Sequence, residues 1–224
     1  MKIRTIISLM VVLYFSITPC FGDAYETLIE KGDASIGEHE YDKAIVYLTA
    51  AINLKPNLPV AYDLRGLAYS HNGQYEKAIA DLDRAIEILP GNAWQHSIRG
   101  LAFFFTDQHD KAISDFTKAI ETDPDFTAHS NLYLNRGKAH AAVGQLDKAI
   151  SDFNSYVRIN PDHASQSDPY FHRGRAYWMK GEYEKAISDL NIAIAKKTQG
   201  RRGYSLRGLA FKFQGQYHKR LCLI

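Results

Sequence analysis

Residues 59–92 read PVAYDLRGLAYSH, then NGQ, then YEKAIADLDRAIEILPGN. Gly66 and Tyr69 are three residues apart, and Ala78, Leu82 and Ala85 follow at spacings of four and three. Each set therefore lies on one face of a helix. Between the two stripes His71-Asn72-Gly73-Gln74 has the composition of a turn. Pro90 stops the second helix. Small Gly66 and Ala78 let two helices approach closely, while Tyr69 and Leu82 fill the space between them. The stretch predicts a helix–turn–helix.

The same arrangement recurs in both directions. Gly32, Gly66, Gly100, Gly137, Gly174 and Gly208 stand at intervals of 34, 34, 37, 37 and 34 residues. Twelve residues after the first five glycines come Ala44, Ala78, Ala112, Ala149 and Ala186, and seven further on Ala51, Ala85, Ala119, Tyr156 and Ala193. Pro56, Pro90, Pro124 and Pro161 close the first four units. Turns such as Lys180-Gly181-Glu182 repeat, and Asp168-Pro169 offers an N-cap with proline in the first turn. The repeats are 25–58, 59–92, 93–126, 130–163 and 167–200, with a partial sixth at 201–224. One helix pair is too small to bury its own apolar surface, so neighbours must stack. An all-α solenoid of tandem 34-residue helix–turn–helix repeats is expected.

The pattern resembles the tetratricopeptide repeat (TPR) family, whose unit has this length and form. The family's small–large positions 8, 11, 20, 24, 27 and 32 are best kept by Gly66, Tyr69, Ala78, Leu82, Ala85 and Pro90. Resemblance extends from residue 25 to about 220 and implies a right-handed superhelix that binds a protein or peptide partner. In this family positions 2, 5, 9, 12 and 13 of the first helices line the concave face. Carried over, they are Trp94, Ser97, Leu101, Phe104 and Phe105 in the third repeat, and Asn131, Leu134, Lys138, Ala141 and Ala142 in the fourth. In the fifth they are Asp168, Phe171, Arg175, Trp178 and Met179.

The implied groove therefore comprises Trp94, Leu101, Phe104, Phe105, Leu134, Lys138, Phe171, Arg175, Trp178 and Met179: aromatic and apolar, with two cationic points. Packing of Phe104, Phe105 and Trp178 inside the superhelix is the competing reading. The carboxylate clamp of some family members does not match. Positions 5 and 9 read Ile29 and Asp33, Asp63 and Leu67, then Ser97 and Leu101, leaving only Asn135 and Lys138 as fragments of it.

Residues that recur in register point to structure. Arg65, Arg99, Arg136, Arg173 and Arg207 each precede the register glycine, and Asp81, Asp115, Asp152 and Asp189 recur at position 23. Pairing between these ladders is expected. The nine histidines form no His-Glu-x-x-His or similar metal pair, and there is neither a nucleophile elbow nor a phosphate-cradling loop. The reading is a non-enzyme without cofactor or metal.

Charge is balanced, with 27 Lys and Arg against 25 Asp and Glu. Such a chain generates no field to gather nucleic acid. Met1-Lys2-Ile3-Arg4 followed by an apolar run from Ile6 to Ile17 has the proportions of a signal peptide, with cleavage expected after Gly22. About twelve apolar residues fall short of the ~20 that span a bilayer. Export to the periplasm or medium is expected. The alternatives are an uncleaved anchor, or lipidation of Cys20, which Pro19 fits poorly. Loss of Cys20 would leave Cys222 and no internal disulfide.

Three-residue insertions between repeats, around Thr127-Ala128-His129 and Ala164-Ser165-Gln166, are read as loop slack or as a partner-contacting edge flanking the fourth repeat. The sixth repeat departs from the pattern at Arg220, where alanine is due, and Leu221-Cys222-Leu223-Ile224 follows. This suggests a truncated or frame-shifted product. Two functional alternatives accompany the groove: an adaptor stacking through its C-terminal edge, and the accessory repeats of a longer enzyme.

Overall fold

The computed structural model describes residues 23–129, 131–159, 168–196 and 200–221. The expected leader with Cys20, the insertion at Ala164-Ser165-Gln166 and Cys222 lie outside these residues. Among the described residues there are twelve helices and no strand. They divide into two compact units, 1–106 and 107–224.

The first unit holds α1 (Asp23–Gly37), α2 (Tyr41–Leu54), α3 (Pro59–His71), α4 (Tyr75–Ile88) and α5 (Ala93–Phe105). Each packs against the next, and the first helices of successive repeats also touch, α1 with α3 and α3 with α5. The second unit holds α6 (His109–Thr122), α7 (Pro124–His129), α8 (Leu132–Ala142), α9 (Leu146–Ile159), α10 (Asp168–Met179), α11 (Tyr183–Ala195) and α12 (Gly200–Leu221). Here α8 touches α10 and α10 touches α12, with the second helices packed alongside. The architecture is an all-α solenoid of helix pairs.

The register glycines are explained by the contact they permit. A Cβ on Gly32 would lie 2.6 Å from Leu48 Cγ, and one on Gly137 would lie 2.7 Å from Phe153 Cε1. The position-24 side chain of the second helix occupies the space a side chain would need. Leu48, Leu82, Phe153 and Leu190 are all fully buried there.

Between the paired helices position 15 takes a positive φ, filled by Gly73, Gly144 and Gly181, but by His39 (63°) and Asp107 (57°) in the first and third repeats. The left-handed residue lets the next amide return to the helix end, as Gln74 N donates to Tyr69 O at 2.9 Å and Gln145 N to His140 O at 2.9 Å.

The arginine and aspartate ladders do pair. Arg65 donates to both Asp81 oxygens at 2.7 Å, Arg136 to Asp152 at 2.9 and 2.7 Å, and Arg173 to Asp189 at 2.7 Å twice. The remaining Nη1 reaches the preceding repeat, to Thr49 from Arg65, Thr117 from Arg136 and Asn154 from Arg173. Each guanidinium thus ties two second helices together. Arg99 uses Nη1 on Asp83 at 2.6 Å.

One expectation is corrected. The insertion at 127–129 is helical, closing the six-residue α7. Asp123 Oδ1 accepts the Phe126 amide at 2.9 Å, and Pro124 occupies the first helical position, so the segment is capped rather than slack. Among the described residues no helix is long and apolar enough to cross a membrane.

Candidate functional site

In the first, second, fourth and fifth repeats the register face of the first helix is committed to the paired second helix. On α5, Trp94, Leu101 and Phe105 are spaced by seven and four residues and share one side. Asn92 caps this helix, accepting the Trp94 amide at 3.0 Å. The Trp94 ring is half-buried against the core of the first two repeats. Leu101 and Phe104 are half-buried, and Phe105 is 57% exposed. Phe104 meets the edge of Phe105 with centroids 5.7 Å apart.

Phe105 is also engaged on one ring face. It stacks on Tyr75 of the preceding repeat at 4.9 Å. The arrangement recurs where His71 stacks on Tyr41 at 5.3 Å and Phe213 on Tyr183 at 6.0 Å. Position 13 of one repeat therefore rests on position 17 of the repeat before it. This clasp was not foreseen. Its signal was present in the sequence as rings 30 residues apart.

In the second unit the expected residues separate into two groups. Arg175 is exposed and Met179 is 45% exposed, both on α10. Trp178 between them is half-buried, edge-on to Phe213 at 6.2 Å. Lys138 on α8 is half-buried. Leu134 and Phe171, by contrast, are 6% and 9% exposed. Leu134 packs with Ala149, Phe153 and Tyr156, and Phe171 with Leu190 and Ala193. They are core residues, a correction to their placement in a groove. Position 5 points toward the second helices, which is also why Ile29 and Ser97 are buried.

A second feature was missed. In the first unit Asp63, at that inward position 5, accepts from Gln95 Nε2 at 3.0 Å through Oδ2. Asp63 Oδ1, Gln95 Oε1 and Glu26 Oε2 are buried without a hydrogen bond, as is the Tyr25 hydroxyl, which the Ala61 amide faces without closing hydrogen-bond geometry. Lys55 approaches Glu26 Oε1 at 3.4 Å and lies over the Tyr25 ring at 4.7 Å. Burial pushes Asp63 up to about 7, against the Gln95 hydrogen bond, which lowers it. Burial also carries Tyr25 up to about 12, opposed by the Ala61 amide and assisted by Glu26 and Asp63. The cluster joins three repeats and holds more acceptors than donors. An Asp where other repeats place Ile, Ser, Leu or Phe was the available signal.

Among the described residues no group of three or more His, Cys, Asp or Glu is placed to hold a metal ion.

Tetratricopeptide repeat models match residues 25–58, 61–92, 99–164 and 167–195. No curated protein matches the sequence. Among solved structures, a MamA protein is 24% identical, with 80% of this chain and 94% of that chain covered at a TM-score of 0.69. YrrB, a TPR protein with an unusual peptide-binding site, is 21% identical, covering 83% and 92% at 0.71. MamA from Desulfovibrio magneticus RS-1 is 17% identical, covering 81% and 99% at 0.72. These likenesses concern the fold.

Proposed function

We propose that this chain, which belongs to the tetratricopeptide repeat family, is a non-catalytic protein-interaction scaffold that holds an extended peptide or partner helix on its first helices. The observation that carries this reading is the exposed ring of Phe105, fixed from behind by Tyr75. A ring already stacked on a neighbour loses less entropy than a free one when a partner covers its other face. Leu101, Phe104 and the half-buried Trp94 extend that patch along α5. Arg175, Trp178 and Met179 form a separate patch on α10, where the guanidinium adds a cationic point. Peptide recognition by YrrB supports the reading as a precedent on the same fold. The leader reading adds that the scaffold works outside the cytoplasm.

The test is to pan a displayed random-peptide library against the protein and measure the selected peptides on variants. Phe105→Ala, Arg175→Ala and Met179→Ala alter exposed side chains and are expected to leave helicity intact. Selected peptides should lose tenfold or more in affinity on at least one variant, about the cost of removing an interface anchor. Peptides bound equally by all three variants would defeat the proposal.

A further inference from the structure

Asp81, Asp152 and Asp189 are buried against arginine forks. Asp63 on α3 has no such partner: among the described residues its one hydrogen bond comes from a neutral amide, and no cation pairs with it. The ammonium of this cluster, Lys55, is turned to Glu26 Oε1 and to the face of Tyr25. A carboxylate in such surroundings is costly, and taking up a proton removes its charge.

The amide shows where that proton fits. Gln95 of α5 is 0% exposed and donates through Nε2 to Asp63 Oδ2 at 3.0 Å. A carboxyl and a carboxamide are planar groups of one shape, each with two polar atoms on a single carbon. The bond uses one atom of each. The other two, Asp63 Oδ1 and Gln95 Oε1, are both oxygens, both buried and both without a hydrogen bond. Two acceptors cannot pair. With a proton on Oδ1 one of them becomes a donor, and a single proton then satisfies two buried atoms.

We propose that Asp63 and Gln95 form a proton-operated latch between the second and third repeats. In the closed state Asp63 Oδ1 carries the proton and donates it to Gln95 Oε1, while Gln95 Nε2 donates to Asp63 Oδ2. Without the proton one hydrogen bond and a bare buried charge remain, so the junction loosens. The titratable groups around the pair are Tyr25 and Glu26 of α1 and Lys55 just past α2, and Tyr25 feels the charge of both Glu26 and Asp63. Helix α5 meets Asp63 with Gln95, and α4, which also packs on α3, brings no charge that acts on it. Burial raises Asp63 from 3.8 to about 7 against the Gln95 bond, so the latch is closed below that value and released as pH rises through it. Helix α5 also bears Trp94 and Phe105, and the proton therefore sets how firmly their helix is held to α3. The latch itself does not depend on what that patch binds.

The test is a pH titration of the isotope-labelled protein by NMR. It follows the side-chain carboxyl carbon of Asp63 and the side-chain carbonyl carbon of Gln95, each assigned through bonds to its own backbone. Both should move together with one midpoint near pH 7 rather than near 3.8. In Asp63→Asn the new amide donates as the protonated carboxyl does, so the Gln95 carbon should stay at its low-pH position throughout. Glu26→Gln should leave the joint titration in place. Amide exchange along α5, corrected for its intrinsic pH dependence, should quicken severalfold across the same midpoint in the parent and not in Asp63→Asn. An Asp63 carbon that titrates in the ordinary carboxylate range overturns the proposal, as does a Gln95 carbon that does not follow it. Loss of the joint titration in Glu26→Gln does so too, because the proton would then be shared with Glu26. Equal quickening of exchange in Asp63→Asn would show that the proton holds nothing closed.

Discussion

Phe105 rests on Tyr75 with ring centroids 4.9 Å apart and planes 14° from parallel. One face of the ring closes the boundary between the second and third repeats while the other remains open. A double-mutant cycle of Tyr75→Ala and Phe105→Ala should give a coupling of about 0.5–1.5 kcal/mol in denaturant unfolding, the range for aromatic pairs. A coupling near zero would mean that Phe105 is not held, and that its exposure offers no preorganised anchor.

The arginine ladder predicts a larger loss. Arg136→Ala leaves Asp152 buried with its main cationic partner gone, and breaking a buried pair in this way costs about 3–5 kcal/mol. Replacing both residues together, Arg136→Met with Asp152→Leu, should recover most of that stability. Chemical denaturation of the three proteins checks both statements.

Asp63 makes stability depend on pH. Its folded-state value of about 7 lies above its ordinary 3.8, so the folded chain holds a proton that the unfolded chain releases earlier. This contribution is complete below about pH 4 and is lost as pH rises to about 7, with no further change from this group above that. Asp63→Asn removes the slope. The variant should therefore gain stability relative to the parent as pH rises from 4 to 8, which melting curves across that range would reveal.

Two glycines one register apart in role should respond oppositely to the same change. Gly66→Ala forces a Cβ to within 2.9 Å of Leu82 Cγ and should cost about 1–3 kcal/mol, as overpacking does. Gly208→Ala meets nothing within 4 Å among the described residues and should add about 0.5–1 kcal/mol through helix propensity.

The fold was legible because its decisive contacts recur. Gly66 against Leu82 and Arg65 against Asp81 repeat in register, so each copy reinforces the reading of the others. The site was less legible because exposure depends on neighbours outside the repeat. Leu134 and Phe171 share position 5 with the groove pattern, yet the second helices cover them. Phe105 looked like a binding residue and is also a clasp, since Tyr75 comes from another repeat. The cluster of Glu26, Asp63 and Gln95 draws on three repeats at positions that do not recur, so no register announced it. At 127–129 a local cap, Asp123, made a helix of an apparent loop.

The scaffold account rests most directly on where a bound peptide touches the protein. A photoreactive benzoylphenylalanine at position 105, on the first-helix patch, can be compared with one at position 46, where Val46 is 66% exposed on second helix α2. With a library-selected peptide, cross-links should form from position 105 and be absent from position 46. Cross-links from position 46, with none from 105, would contradict binding on the first helices.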